Sequence, residues 1–337
     1  MNKKTRLKIK NSFDGNLMYG AGTFNKKTGR DLHAINRKNT ITENFFNNNT
    51  GRLFDGITKE RECPLCDGND KKKIFQKDGF DHYKCKNCFF IYVNPILKDE
   101  KLHNLYLDET SYNNVLTNKL QIDLDKKRFN YCLSLIEKKC ESIGRILDIG
   151  AGPGIFLETA KDRGWEPTAI EFNSFCIERI EKLGIRCIKQ PVEESKLPHN
   201  SFECITLWAV LEHLQNPKDT LKHIHNLLKP NGVLLLLVPN VKSLAARILH
   251  EKCITFAGDS HINFFDNETL KKIQELCGFQ IFDMETIFSE VNTIKNYLNY
   301  DDPYLGTCKF DELDFLNPQY IHENLLGYCL VSYAVKV

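Results

Sequence analysis

From residue 145 to the C-terminus, short apolar runs alternate with amphipathic stretches of helical length. Such alternation points to an open parallel α/β sheet, doubly wound. The runs predict seven strands, over 145–149, 167–171, 186–189, 203–208, 232–239, 280–287 and 327–336. Helices are expected near 155–163, 174–183, 218–229, 241–250 and 267–277. In a sheet of this kind the ligand site lies outside the carboxyl ends of the strands.

At the carboxyl end of the first predicted strand stands Asp148-Ile149-Gly150-Ala151-Gly152-Pro153-Gly154, leading straight into Ile155. Glycines here permit a tight turn and close approach of backbone to a ligand. A dinucleotide fingerprint would need glycine at 155, and no Lys-Ser/Thr follows to cradle a triphosphate. Glu171 ends the second predicted strand beside this loop.

These residues resemble the class I S-adenosylmethionine-dependent methyltransferases, and the resemblance covers about residues 143–337. It implies a Rossmann-like seven-stranded domain whose glycine loop, with Asp148, Gly150, Ala151, Gly152 and Gly154, wraps the methionine part of S-adenosylmethionine. By the same resemblance Glu171 accepts hydrogen bonds from the ribose hydroxyls, a task that suits a carboxylate because it offers two acceptor oxygens. Val192 and Glu193 fall where the family places its adenine contacts. Trp208-Ala209-Val210-Leu211-Glu212-His213 and Leu228-Lys229-Pro230-Asn231-Gly232 look like the segments around strands four and five.

Upstream, Cys63-Pro-Leu-Cys66 is followed after eighteen residues by Cys85-Lys-Asn-Cys88. Two residues between cysteines let both sulfurs reach one metal, and two such pairs supply four thiolates for a tetrahedral zinc with no open position. A structural zinc ribbon over 61–95 is therefore expected, its last strand running from Phe89 to Val93 before Asn94-Pro95. A helical linker over 96–142 then leads to the cofactor domain, and Tyr106, Tyr112 or Arg128 could reach its ligand. A ribbon joined to such a domain resembles methyltransferases that act on small molecules and sugars; here Phe89 stands where that branch usually has glycine.

Methyl transfer from a sulfonium needs an aligned nucleophile, with a general base when the acceptor is protonated. Glu212 and His213 are the best-placed pair, and His261 is a second candidate on the loop after strand five. Some ubiquinone-pathway O-methyltransferases that resemble this segment use an additional acid, three residues before the glutamate, to bind a metal. Ala209 occupies that position and leaves two ligands of three, so no catalytic metal is expected. Aromatic residues over 297–320 could cover an acceptor. Of thirteen cysteines, nine have no metal spacing and are expected to be buried.

The near-neutral total charge hides an asymmetry, since residues 1–60 carry 12 − 5 = +7 and the remainder 34 − 39 = −5. With ten asparagines and no sustained apolar period, residues 1–60 read as an irregular, partly disordered arm that either drapes over the protein or grips phosphate. The longest apolar run, Val233 to Val238, is far short of the ~20 residues that span a membrane, and Met1 to Lys10 holds no apolar segment of the kind expected in a signal peptide. The expectation is a cytoplasmic enzyme with no membrane association, moving a methyl group to an O or C atom of a small metabolite such as a nucleotide-linked sugar. The alternatives are an RNA base methyltransferase reading RNA through its ribbon, and a non-enzymatic interaction module with a decayed cofactor fold.

Overall fold

The structure is a computed structural model, and it describes residues 1–15, 26–30, 45–47, 50–98, 110–294 and 317–337. Ahead of the main sheet lie seven short strands: β1 (Phe46–Asn47), β2 (Arg52–Leu53), β3 (Thr58–Lys59), β4 (Lys71–Lys77), β5 (Phe80–Cys85), β6 (Ile91–Val93) and β7 (Ile96–Leu97). The main sheet uses β8 (Arg145–Ile149), β9 (Glu166–Ile170), β10 (Arg186–Ile188), β11 (Phe202–Trp208), β12 (Leu228–Pro239), β14 (Phe279–Ile287) and β15 (Cys329–Lys336). The two-residue strand β13 (Asn263–Phe264) belongs elsewhere.

The seven strands lie in the order β10-β9-β8-β11-β12-β15-β14. β8 to β12 pair parallel, whereas β15 runs antiparallel between β12 and β14, so the sheet is not wholly parallel. Alternate residues supply opposite faces, as a strand's two-residue period demands. Leu234, Leu236 and Val238 join the core beneath the ribbon, while Val233, Leu235 and Leu237 join the core beneath the helix Lys119–Lys139. Strand order reverses between the neighbours β8 and β11, which opens the ligand crevice at their carboxyl ends.

The cysteine segment forms a four-stranded sheet in the order β13-β6-β5-β4. Its edge strand β13 comes from the part of the chain after the main sheet's β12, with Asn263 opposite Tyr92 (263 − 92 = 171 positions apart) and Phe264 opposite Ile91. Cys63, Leu65, Phe90 and Tyr92 share one core with Leu207 and Phe265. His82 is fully buried among Phe75, Phe256 and Phe264, and burial pulls its pKa down to about 4. The expected ribbon strand is shorter at its start, because Phe89 takes a left-handed φ of 63° and leaves the ladder. That conformation explains why glycine suits the position.

At the N-terminus the structure differs from the expected irregular arm, since Lys3–Gly15 is a helix. Its order comes from tertiary contacts that a search for periodicity does not register. Arg6 pairs with Asp283 at 2.5 Å and Glu285 at 2.9 Å, Lys10 reaches Glu285, and the fully buried Phe13 packs edge-on against Tyr131. Two of the arm's basic residues thus meet acids of the main sheet, as a segment draped over the protein would. Residues 16–25 and 31–44 of that arm lie outside the described residues.

Candidate functional site

One side of the crevice is the glycine loop. Gly150, Gly152 and Gly154 have φ of 70°, 52° and 74°, values that side chains with a Cβ rarely adopt. A Cβ on Gly150 would lie 2.6 Å from Val210 Cγ2, and one on Gly154 would lie 2.8 Å from Ile180 Cγ1. At Gly152 the nearest atom, Leu116 Cδ1, would be 3.9 Å away, an ordinary contact, so this is the least crowded of the three glycines. Ala151 is buried between them, its N–H donating to Ile170 O.

Glu171 is half-buried beside the loop, and its two oxygens are aimed by backbone donors. Oε2 accepts from Gly152 N at 2.7 Å, while Oε1 accepts from Phe172 N at 2.7 Å and Asn173 N at 2.9 Å. Burial raises its pKa against the pull of those three bonds. Asp148 stands behind the loop, 1% exposed, and accepts at 2.6 Å from Thr206 Oγ1, its register partner on β11. Burial holds its carboxyl well above the usual range, with Thr206 opposing and Glu171 adding to the shift. Thr206 escaped the sequence reading, although a lone hydroxyl in the buried run Cys204-Ile205-Thr206-Leu207 was its signal. Val192 is buried in a 3-10 turn, and the exposed Glu193 accepts at 2.5 Å from Thr220 Oγ1 on the helix Pro217–Leu227.

Across the crevice, just past β11, the 3-10 turn Leu211–His213 carries Glu212 and His213. Glu212 is 1% exposed, and neither carboxylate oxygen has a hydrogen-bond partner among the described residues. Burial pushes its pKa up to about 8. The loop before β13 brings His261 to the same place, its ring centroid 5.0 Å from that of His213. His213 Nδ1 lies 2.9 Å from Ser260 O and His261 Nδ1 lies 2.9 Å from Thr255 O. A carbonyl only accepts, so each Nδ1 carries a proton, and in the neutral ring each Nε2 holds the lone pair. One ligand atom from each of Glu212, His213 and His261 falls within 4.8 Å of the others. Sequence spacing counts two candidate metal ligands here; the fold supplies a third candidate, His261, from a loop that no local motif connects to the turn.

Arg128 lies over Trp208 at the end of β11, with its guanidinium carbon 5.6 Å from the ring centroid, and also pairs with Asp125. Glu290, which no motif marked, has its pKa pushed up to about 8 by burial. Tyr106 and residues 297–316 lie outside the described residues, as does the side chain of Tyr112; Tyr320 is exposed.

The four cysteines of the ribbon also converge. Cys63 and Cys88 sulfurs are 3.5 Å apart and those of Cys66 and Cys85 3.6 Å, near the roughly 3.8 Å that four thiolates keep around one tetrahedral zinc. Of the other cysteines, Cys132, Cys176, Cys204, Cys253, Cys277 and Cys329 are buried, Cys140 and Cys187 are half-buried, and Cys308 lies outside the described residues.

Residues 124–283 match the family model described as a methyltransferase domain. The mitochondrial ubiquinone biosynthesis O-methyltransferase of Schizosaccharomyces pombe is 35% identical over 122 residues, 34% of this chain and 44% of that protein. The ubiquinone biosynthesis O-methyltransferase of Haemophilus ducreyi is 30% identical over 139 residues, 37% of this chain and 57% of that protein. The chain thus spans about half the length of the curated relatives it matches. Among solved structures, a SAM-dependent methyltransferase from Archaeoglobus fulgidus has a TM-score of 0.45 at 23% identity, covering 64% of this chain and 94% of its own. The 1,6-didemethyltoxoflavin-N1-methyltransferase of Burkholderia thailandensis has a TM-score of 0.47 at 13% identity, over 80% of this chain and 100% of its own. No helix among the described residues is long and apolar enough to cross a membrane. Residues 124–283 are thus similar to a methyltransferase domain.

Proposed function

We propose that this protein transfers a methyl group from S-adenosylmethionine to a hydroxyl oxygen of a small molecule. The observation that carries the reading is the left-handed Gly150–Gly154 loop facing Glu171, opposite a histidine pair on the other side of one crevice. The Gly152 backbone and Glu171 would hold the cofactor, with Asp148 bracing the loop from the sheet and Val192 and Glu193 flanking the adenine. His213 or His261 would take the acceptor's proton through Nε2 as the sulfonium S–CH3 bond breaks and the O–CH3 bond forms, leaving S-adenosylhomocysteine. Glu212, protonated below about pH 8, is the poorer base at neutral pH.

An oxygen acceptor is favoured because the curated relatives are named as O-methyltransferases of ubiquinone biosynthesis. Those names lend no support to the nucleotide-linked sugar expected from the sequence. The test is calorimetry with S-adenosylmethionine, followed by turnover of labelled cofactor with a catechol, a nucleotide sugar and an RNA oligonucleotide. Absence of cofactor binding would sink the whole reading, whereas turnover confined to the sugar or the RNA would move the acceptor class.

The triangle of Glu212, His213 and His261 favours a second reading of the acceptor side, in which these three would hold a divalent cation that supplies Lewis acidity toward the acceptor oxygen. Full turnover in chelator would remove it. Cys63, Cys66, Cys85 and Cys88 we assign to a structural zinc; metal analysis finding none would refute that assignment.

A further inference from the structure

Arg61 stands two residues before the first cysteine pair, yet its bonds go to the acceptor side of the crevice. Its backbone N–H donates to Asn94 Oδ1 at 2.8 Å and its Nε to Val93 O at 3.1 Å, which seats it against β6. Its Nη2 donates to Ile262 O at 2.5 Å and to Asn263 Oδ1 at 3.1 Å. The guanidinium lies over the ring of Tyr92, 5.5 Å from its centroid, inside the core that holds Cys63, Cys85 and Cys88.

Both acceptors of Nη2 lead to the candidate catalytic groups within one further hydrogen bond. Ile262 N donates to Glu212 O at 3.0 Å, so the peptide next to His261 is strung between Arg61 and the Glu212 backbone. Asn263 turns its oxygen to Arg61 and its Nδ2 to Leu211 O at 3.2 Å and Leu214 O at 2.6 Å, which bracket the Glu212–His213 turn. The turn and the histidine loop belong to different elements, joined by these links and by the bond from His213 Nδ1 to Ser260 O at 2.9 Å. A hydrogen bond from a charged donor is stronger than one between neutral groups, so these bonds can choose between loop positions.

We infer that Arg61 is a positioning residue which couples the cysteine ribbon to the acceptor side, fixing through Ile262 and Asn263 where His261, His213 and Glu212 stand. The inference rests on the reading of those three as the acceptor-side groups. It makes the ribbon a platform for the reaction rather than an appended module, and it leaves the glycine loop and Glu171 outside its reach.

The test uses the full chain with 15N-labelled histidine. Long-range 1H–15N spectra report which ring nitrogen of each histidine carries the proton, and His213→Gln and His261→Gln variants assign the signals. The wild type should show both rings protonated at Nδ1. Arg61→Ala should lower that population several-fold at one or both rings, Arg61→Lys should restore part of it, and calorimetric affinity for S-adenosylmethionine should stay within twofold. Spectra of Arg61→Ala identical to wild type would overturn the inference, whatever happens to its melting temperature. Should Arg61→Ala fail to fold, Arg61→Lys carries the same readout, and unchanged spectra there are equally adverse. Failure of the wild type to bind S-adenosylmethionine is a separate result that strikes the methyltransferase reading and leaves the histidine measurement intact.

Discussion

The two walls of the crevice are built on opposite plans. On the cofactor wall the groups come from two adjacent strand ends, β8 and β9, and the polar atoms are paired, Glu171 to three backbone N–H groups and Asp148 to Thr206. The acceptor wall draws on the turn after β11 and the loop before β13, and it leaves both oxygens of a buried carboxyl without a hydrogen bond among the described residues. A paired site is preorganised for one ligand. A buried carboxyl without a hydrogen bond, here with His213 Nε2 3.9 Å from Glu212 Oε1, costs folding free energy of order 1–3 kcal/mol, and a fold carries that cost where chemistry or a ligand recovers it. On the proposed function, the cofactor wall would be the fixed half and the acceptor wall the half that sets the reaction.

The sharpest way to break that division is to disable one wall and watch the other. Replacing His213 with alanine should cut turnover by about 10²- to 10⁴-fold, the range a positioned acid or base contributes, with cofactor affinity within twofold of wild type. Equal loss of both would mean the walls are one unit. Glu171→Ala should weaken S-adenosylmethionine binding more than tenfold, about 1.4 kcal/mol or more, without altering the histidine spectra. A calorimetric affinity equal to wild type would take Glu171 out of the cofactor wall.

The same division decides what the sequence discloses. The cofactor wall was legible because its residues are contiguous: an acid, three glycines at fixed offsets and a second acid at the next strand end. All seven main strands fall within a few residues of their predicted limits, since a sheet covered on both faces shows as short continuous apolar runs. The acceptor wall was legible as separate candidates and not as a site. Nothing local to Glu212 announces that His261 completes a triangle with it, or that Arg61 holds the loop between them. The N-terminal helix was missed for a related reason, because Arg6 and Lys10 are ordered by Asp283 and Glu285 on a distant strand. The reversed β15 was likewise out of reach, since an apolar run has no direction.

If the ribbon serves the acceptor wall, losing it should cost stability and turnover while sparing the cofactor wall. Cys85→Ser, or chelation of the metal assigned to the four cysteines, should lower Tm by about 5–10 °C, given roughly 2–4 °C per kcal/mol for domains of this size. Cofactor binding lost in parallel would make the ribbon a support for both walls. A smaller effect isolates Glu212, whose pKa is pushed up to about 8 by burial. Between about pH 4.5 and pH 8 the unfolded chain releases this proton and the folded one keeps it, so its contribution is fully present below that window and is lost as pH rises through it. In chelator, Tm of the wild type should therefore fall from pH 5 to pH 8, and Glu212→Gln should flatten the fall by up to about 1.4 kcal/mol per pH unit. Parallel curves for the two proteins would show that Glu212 is already ionised at neutral pH.

The smallest expected effect is a control on the whole comparison. Phe89 is 65% exposed at a φ of 63°, and its ring meets only the Lys84 ammonium, at 5.3 Å, among the ring contacts of the described residues. A left-handed non-glycine residue costs of order 1–3 kcal/mol, whereas glycine there loses about 0.5–1 kcal/mol through greater freedom of the unfolded chain. Phe89→Gly should thus stabilise the protein slightly, raising Tm by about 1–3 °C. Because Phe89 takes no part in the Arg61 links, the change should leave cofactor affinity, turnover and the histidine spectra at wild-type values. A shift in the histidine signals would show that the ribbon acts on the acceptor wall through its general rigidity; their constancy, beside a response to Arg61→Lys, would assign the coupling to the guanidinium itself.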